Sequence, residues 1–274
     1  MTTPQWTKPM TVEEMYGYWD YEAAVALLER SLDPRPAQSI FDTVAALGAG
    51  TDDVVLDIGG RDGRHGLVMA ERFGCRVVSV DPAPANIADG ERNVAEHEYG
   101  HLVSIRQGSI EQIPGADAEF DLVFSRDMLA HVADLGQGLA ECHRVLKPGG
   151  AMLIHQVFAT DLLEPKEAER LYADLAVVPE RMSVADFEAA VGPAGFSVES
   201  LDVIGSEWYE ASQEAGTAPN YALQLSRLRR AKDDLLARLG EMPYRTMYGN
   251  ALWSIYLLIG KLETRLYSLR RDAT

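Results

Sequence analysis

The segment that most constrains this chain is Asp57-Ile58-Gly59-Gly60-Arg61-Asp62-Gly63. It stands directly after Val54-Val55-Leu56 and directly before a helix expected over 63–73. A short apolar run without polar alternation fits a strand buried on both faces. A glycine-rich turn lets the backbone approach a ligand closely, and the helix start behind it presents free N–H groups. In open parallel sheets, ligands bind outside the carboxyl ends of the strands, where this turn would lie.

The same alternation continues downstream. Val77-Val78-Ser79-Val80 reads as a second buried strand, Leu102–Arg106 as a third, Phe120–Phe124 as a fourth and Met152–Val157 as a fifth. Phe196–Ile204 and Thr264–Leu269 read as the sixth and seventh. Helices are expected over 84–98, 134–146 and 163–194. Strands alternating with helices predict an α/β fold, a doubly wound and mostly parallel seven-stranded sheet. Residues 1–50 read as helical, with Ala23, Ala24, Leu27 and Leu28 on one face, a break at Pro34 and Pro36, and a second helix over 37–47. Residues 205–261 form a helical insertion between strands six and seven, with helices over 219–239 and 247–260.

Composition narrows the partners. The 274 residues carry 25 Lys and Arg against 42 Asp and Glu, a formal charge of −17. Such a chain repels nucleic-acid phosphates and anionic lipid heads, so a small molecule is the expected partner, with no nucleic acid and no membrane. A homodimer stays open. Cys75 and Cys142 are too few for a disulfide framework or a Cys-rich zinc site. The opening ten residues are polar and hold two prolines, unlike a signal peptide. The apolar stretch Ala251–Ile259 is roughly half the ~20 residues of a membrane span. The expectation is a cytoplasmic protein. The basic run Arg227, Arg229, Arg230 and Lys232 reads as a solvated helix face balanced by Asp233 and Asp234.

Asp81 ends the second strand, 24 residues after Asp57, where an acid can accept both hydroxyls of a ribose. A dinucleotide site wants G-x-G-x-x-G, and that pattern fails because Arg61 occupies its third position. A nicotinamide oxidoreductase is therefore disfavoured. An acid two residues before the first glycine suits a cofactor that ends in an ammonium group.

Five further segments join the loop. Gln107-Gly108-Ser109-Ile110-Glu111 follows strand three, and Phe120-Asp121-Leu122-Val123-Phe124-Ser125-Arg126-Asp127 leads to His131. Arg144-Val145-Leu146-Lys147-Pro148-Gly149-Gly150 precedes strand five, Tyr16-Gly17-Tyr18-Trp19-Asp20 opens the chain, and Ala37-Gln38 precedes strand one. With Asp57, Gly59 and Gly63, these segments make the sequence resemble the class I S-adenosylmethionine-dependent methyltransferases, in particular the small-molecule members with a Gly-Tyr-Trp lid. Their hallmark loop is acid-x-Gly-x-Gly-x-Gly, and here Arg61 replaces the middle glycine. Its side chain could crowd the methionine half of the cofactor, point away, or meet the cofactor carboxylate. Ser109 stands where the family usually has an acid near the adenine amine.

The resemblance implies S-adenosylmethionine as cofactor. It implies a lid over 1–50, a Rossmann-like cofactor domain over 51–204 and 262–274, and a cap over 205–261. Cofactor contacts carry over to Asp57, Gly59, Gly60, Gly63, Asp81, Pro82, Gly108, Ser109, Ile110, Ser125, Arg126 and Gln38. The implied function is methyl transfer to a hydroxyl, amine or carbon of a small molecule, of the kind met in natural-product biosynthesis. The alternative is a non-catalytic, S-adenosylmethionine-binding or regulatory protein of the same fold. Catalytic candidates are His131, Asp127 and Tyr18. A histidine is largely neutral at pH 7 and can take a proton from a hydroxyl, and Asp127, four residues earlier, could fix its tautomer. Tyr18 or Trp19 could face a sulfonium. No metal is expected: Asp127, His131 and His155 lack ligand spacing. Trp208, Tyr209, Trp253 and Tyr256 are expected to roof the acceptor pocket, while His155 and His65 read as structural.

Overall fold

The computed structural model describes residues 9–17, 20–31 and 33–272. Its centre is a seven-stranded sheet: β1 Val54–Ile58, β2 Arg76–Asp81, β3 Val103–Gln107, β4 Phe120–Arg126, β5 Leu146–Ala159, β6 Phe196–Ile204 and β7 Leu262–Arg271. The order is β3-β2-β1-β4-β5-β7-β6. Only β7 runs antiparallel to its neighbours, pairing with β5 and β6. The expected α/β sheet is present, with β5 and β7 longer than their apolar stretches suggested.

Consecutive residues split between two cores, as a period of two requires. Leu56, Val78, Val123 and Ile154 face one side with Leu139, Cys142 and Phe187. Val55, Val77, Leu122 and Leu153 face the other with Ile40, Phe41 and Leu67. The first side is covered by α6 Leu135–Val145 and α8 Val184–Val191. In α6, Leu135, Gly138, Leu139, Cys142 and Val145 are buried at helical spacing, and Asp134 caps the start by accepting the Gln137 N–H at 2.9 Å. The second side is covered by α3 Ile40–Ala46 and α4 Arg64–Phe73. Helix α5 Pro84–Glu96 packs on β3. Both cysteines are buried and free.

The N-terminal helices α1 Val12–Met15 and α2 Tyr21–Leu28 bury no residue. Leu27 and Leu28, expected on an apolar face, are exposed. The chain after them is tied down by an ion pair between Arg35 and Asp202 on β6. Segment 163–194 contains α7 Pro165–Leu175 and α8, joined through the 3₁₀ turn Pro179–Met182, rather than one continuous helix. The insertion holds four helices: α9 Glu207–Glu214, α10 Tyr221–Arg230, α11 Lys232–Leu239 and α12 Glu241–Leu258. The single helix expected over 219–239 is broken at Ala231. Helix α12 starts earlier than expected because Pro243 falls in its first turn, where a missing N–H costs nothing. Among the described residues no helix is long and apolar enough to cross a membrane.

Phe124 on β4 joins the sheet to both helices of the second face. Its ring stacks on Phe41 at 6.1 Å and meets the edge of His65 at 5.9 Å. Phe124→Ala is expected to destabilise the fold by about 3–5 kcal/mol, the range for a buried aromatic, as read by urea unfolding.

Candidate active site

The glycine loop is held from below and from the side. The Val80 carbonyl, at the end of β2, accepts both the Gly59 and Gly60 N–H groups at 2.8 and 3.1 Å. Asp81 Oδ2 accepts the Arg61 N–H at 3.0 Å, and its Oδ1 accepts the Ala83 N–H at 2.9 Å and Asn86 Nδ2 at 3.0 Å. Gly60 has no room for a side chain, since a Cβ there would lie 1.9 Å from Ser79 Oγ and 2.5 Å from Asp57 Oδ2. Gly59 and Gly63 both adopt the left-handed region, at φ 74° and 71°.

Asp57 lies beneath this loop, 2% exposed, accepting Ser79 Oγ at 3.0 Å. Burial pushes its carboxyl up to about 7, against the pull of hydrogen bonds from Ser79 and the Gly66 backbone. Arg61 keeps the path of a glycine, at φ 52°, with its side chain exposed on the rim. An L-residue in that conformation carries strain of roughly 1–2 kcal/mol.

Above the loop opens a cavity of about 1690 Å³. One small ligand fills roughly 300–1,000 Å³, so this space holds a cofactor and an acceptor together. Gly59, Gly60, Asp81, Pro82, Gly108, Ser109 and Ile110 line one end. Arg126, Asp127 and His131 line the middle, and Tyr209, Asn250 and Trp253 of the insertion line the far end. Asp57, Gly63, Ser125 and Gln38 are not in the wall. Asp57 and Gly63 shape the loop from behind, the Ser125 hydroxyl is buried without a partner, and Gln38 is exposed on the 3₁₀ turn Ala37–Ser39. Tyr18 and Trp19 lie outside the described residues. Of the four aromatic residues expected in the roof, Tyr209 and Trp253 line the cavity, whereas Trp208 and Tyr256 are buried elsewhere.

The structure pairs Asp127 with a different histidine from the expected one. His155 Nδ1 lies 2.9 Å from Asp127 Oδ1. The buried His155 ring stacks on Trp208 at 5.0 Å, and the Arg126 guanidinium lies 5.9 Å from the same indole. Loss of water works against the Asp127 charge, but His155, Arg126 and His65 outweigh it and hold the carboxyl below its usual range. Arg126 Nη1 is 3.2 Å from His65 Nε2, and burial followed by the Arg126 charge pushes His65 down to about 4, so it stays neutral. His131 Nδ1 lies 3.1 Å from the Ala176 carbonyl. A carbonyl only accepts, so Nδ1 carries the hydrogen and neutral His131 keeps its lone pair on Nε2. Tyr209, half-buried near Asp127, has its phenol pushed up by loss of water and stays protonated. Among the described residues, no group of three His, Cys, Asp or Glu side chains is arranged to hold a metal ion.

The model of a methyltransferase domain matches residues 56–154. A ubiquinone biosynthesis O-methyltransferase from Azorhizobium caulinodans is 32% identical over 181 residues, 62% of this chain and 69% of that protein. The chain belongs to the class I S-adenosylmethionine-dependent methyltransferases. Solved structures share the fold of this methyltransferase. A putative sarcosine dimethylglycine methyltransferase from Galdieria sulphuraria superimposes at TM-score 0.68, with 17% identity over 86% of this chain and 84% of that one. The cyclase SpnF superimposes at TM-score 0.67, with 17% identity over 89% and 86%. Because a cyclase shares the architecture, the fold alone does not give the reaction; the relatedness in sequence does. The cofactor of this methyltransferase is S-adenosylmethionine, and the Asp81 carboxylate in the cavity wall, an acceptor for ribose hydroxyls, fits it.

Two outcomes test the loop. Asp57 holds its proton to higher pH when folded than when unfolded, so its contribution to stability is full below about 4 and is lost as pH rises to about 7. Asp57→Asn is expected to remove that slope from denaturation midpoints measured across this window. Arg61→Gly relieves the left-handed strain but loosens the unfolded chain, so it is expected to stabilise by up to about 1 kcal/mol in urea unfolding.

Proposed function

We propose that this methyltransferase acts on a hydroxyl of a small, partly apolar acceptor, with His131 as the general base. The observation that carries the proposal is the His131 Nδ1–Ala176 carbonyl contact at 3.1 Å, which leaves the basic nitrogen at Nε2 on a residue of the cavity wall. The related O-methyltransferase supports oxygen as the atom that is methylated.

Asp81 has used three of the roughly four acceptor positions of a carboxylate, and the fourth, on Oδ2, suits a ribose hydroxyl. Gly59, Gly60 and Pro82 would border the sugar and methionine half, and Gly108, Ser109 and Ile110 the adenine. Asp57 and Gly63 would act on the cofactor only through the loop they shape. S-adenosylmethionine, when bound, supplies a methyl group already activated by its sulfonium. What remains for the chain is to align the acceptor, exclude water and accept one proton. Tyr209 and Trp253 flank the acceptor end, and the protonated Tyr209 phenol can donate a hydrogen bond there. His131 Nε2 would take the hydroxyl proton as the methyl passes from sulfur to oxygen, the carbon–sulfur bond breaking as the oxygen–carbon bond forms and S-adenosylhomocysteine leaving. Asp127, paired with His155, would offer negative charge to the sulfonium from the cavity wall rather than orient His131.

His131→Ala is expected to lower kcat by ~100–10,000-fold on a hydroxyl acceptor, to remove the acidic limb of the pH–rate profile, and to leave S-adenosylhomocysteine affinity near normal by calorimetry. A loss below about tenfold with the pH profile unchanged would falsify the base role, and point to an acceptor that arrives deprotonated.

A further inference from the structure

The insertion carries a second cavity, of about 580 Å³, between α7, the junction of α10 with α11, and α12. Its wall holds four cations, Arg170, Arg229, Lys232 and Arg245, against two carboxylates, Asp174 and Glu241. Those carboxylates are already engaged. Asp174 meets Arg245 Nε at 2.7 Å and Arg170 Nε at 3.7 Å, and Glu241 meets Arg245 Nη1 at 3.7 Å. Among the described residues, Arg229 and Lys232 have no ion pair. Asp234, expected to balance the basic run, pairs instead with Arg238 at 3.4 Å. The break at Ala231 turns Arg229 and Lys232 to the same cavity, while Arg227 and Arg230 are not in its wall. Leu236, Tyr244 and Tyr248 complete the lining, and Arg170 sits 4.2 Å over the Tyr248 ring.

An excess of positive charge gathered in one concavity of a chain with net charge −17 lacks its counter-charge. We propose that this cavity binds a phosphate or diphosphate group, with Arg229 and Lys232 as its principal donors and Arg245 as the link to the main cavity. Guanidinium forks and ammonium groups match phosphate oxygens. Asp174, Glu241 and Arg245 line both cavities and form the wall common to them. The phosphate is therefore the charged end of the acceptor, whose body lies in the main cavity, and this assignment rests on the reaction proposed above. The anion site itself does not.

Calorimetry of the whole chain with inorganic pyrophosphate tests the site. Wild type is expected to bind, more weakly as salt is raised, and the double variant Arg229→Ala/Lys232→Ala on the order of tenfold or more weaker. Both side chains are exposed, and unchanged S-adenosylhomocysteine binding checks that the variant is folded. No binding by wild type, or equal binding by the variant, overturns the site. Failure of the wild type to bind S-adenosylhomocysteine would instead count against the reaction proposed above. Octyl phosphate compared with inorganic phosphate separates the two sources of the anion. Tighter binding of the octyl ester, abolished by Met247→Lys in the main cavity wall, supports the acceptor's charged end. Equal affinity overturns that assignment and leaves a free anion as the ligand.

Discussion

A single carbonyl, that of Val80, sets where the ligand loop can be. It accepts two successive N–H groups, from Gly59 and Gly60, and so fixes the turn after β1 to the end of β2. Everything at the site follows from that attachment. Gly60 is pressed on to Ser79 and Asp57, with no space for a Cβ. The chain must then rise and enter α4, and it does so through left-handed backbone at Arg61 and Gly63. Asp81, one residue past Val80, takes the Arg61 N–H and holds the other side of the turn. An arginine survives at a position built for glycine because its backbone is held on both flanks while its side chain reaches solvent.

The sheet was legible in the sequence because its strands are buried on both faces. Such strands appear as continuous apolar runs, and Val54-Val55-Leu56 and Val77-Val78 need no tertiary information to be read. The glycine loop and Asp81 were legible for the same reason, since local chain chemistry dictates them. The insertion was less so. Propensity does not distinguish a helix over 219–239 from two helices that turn at Ala231, because the break serves packing around Leu228, Tyr244 and Tyr248. Helix α9 escaped notice altogether, and it supplies Trp208.

The partner of Asp127 was illegible for a clearer reason. An offset of four residues suggested His131, but the chain after β4 forms a turn, with Asp127 at φ 55°, and no helix carries that offset. What matters is the register between β4 and β5, which sets Arg126 opposite His155. Asp127, one step beyond, donates its N–H to the His155 carbonyl at 3.0 Å and brings its carboxylate to the ring. Strand pairing across 28 residues decided the contact. The carbonyl that holds His131, on Ala176, comes from 45 residues away and carries no side-chain signal at all.

The insertion leaves the sheet at Ile204 and returns at Leu262, and β6 and β7 lie side by side with Ile204 opposite Thr264. In topological terms, α9 to α12 are the loop of an antiparallel hairpin, a connection that a tight turn could make. The closure entropy of such a loop rises by only about 0.6 kcal/mol for each doubling of its length. The roof over the acceptor end can therefore be lengthened, shortened or exchanged at one pair of adjoining splice points. The loop that Val80 anchors, at the opposite side of the cavity, would keep its geometry through every such exchange.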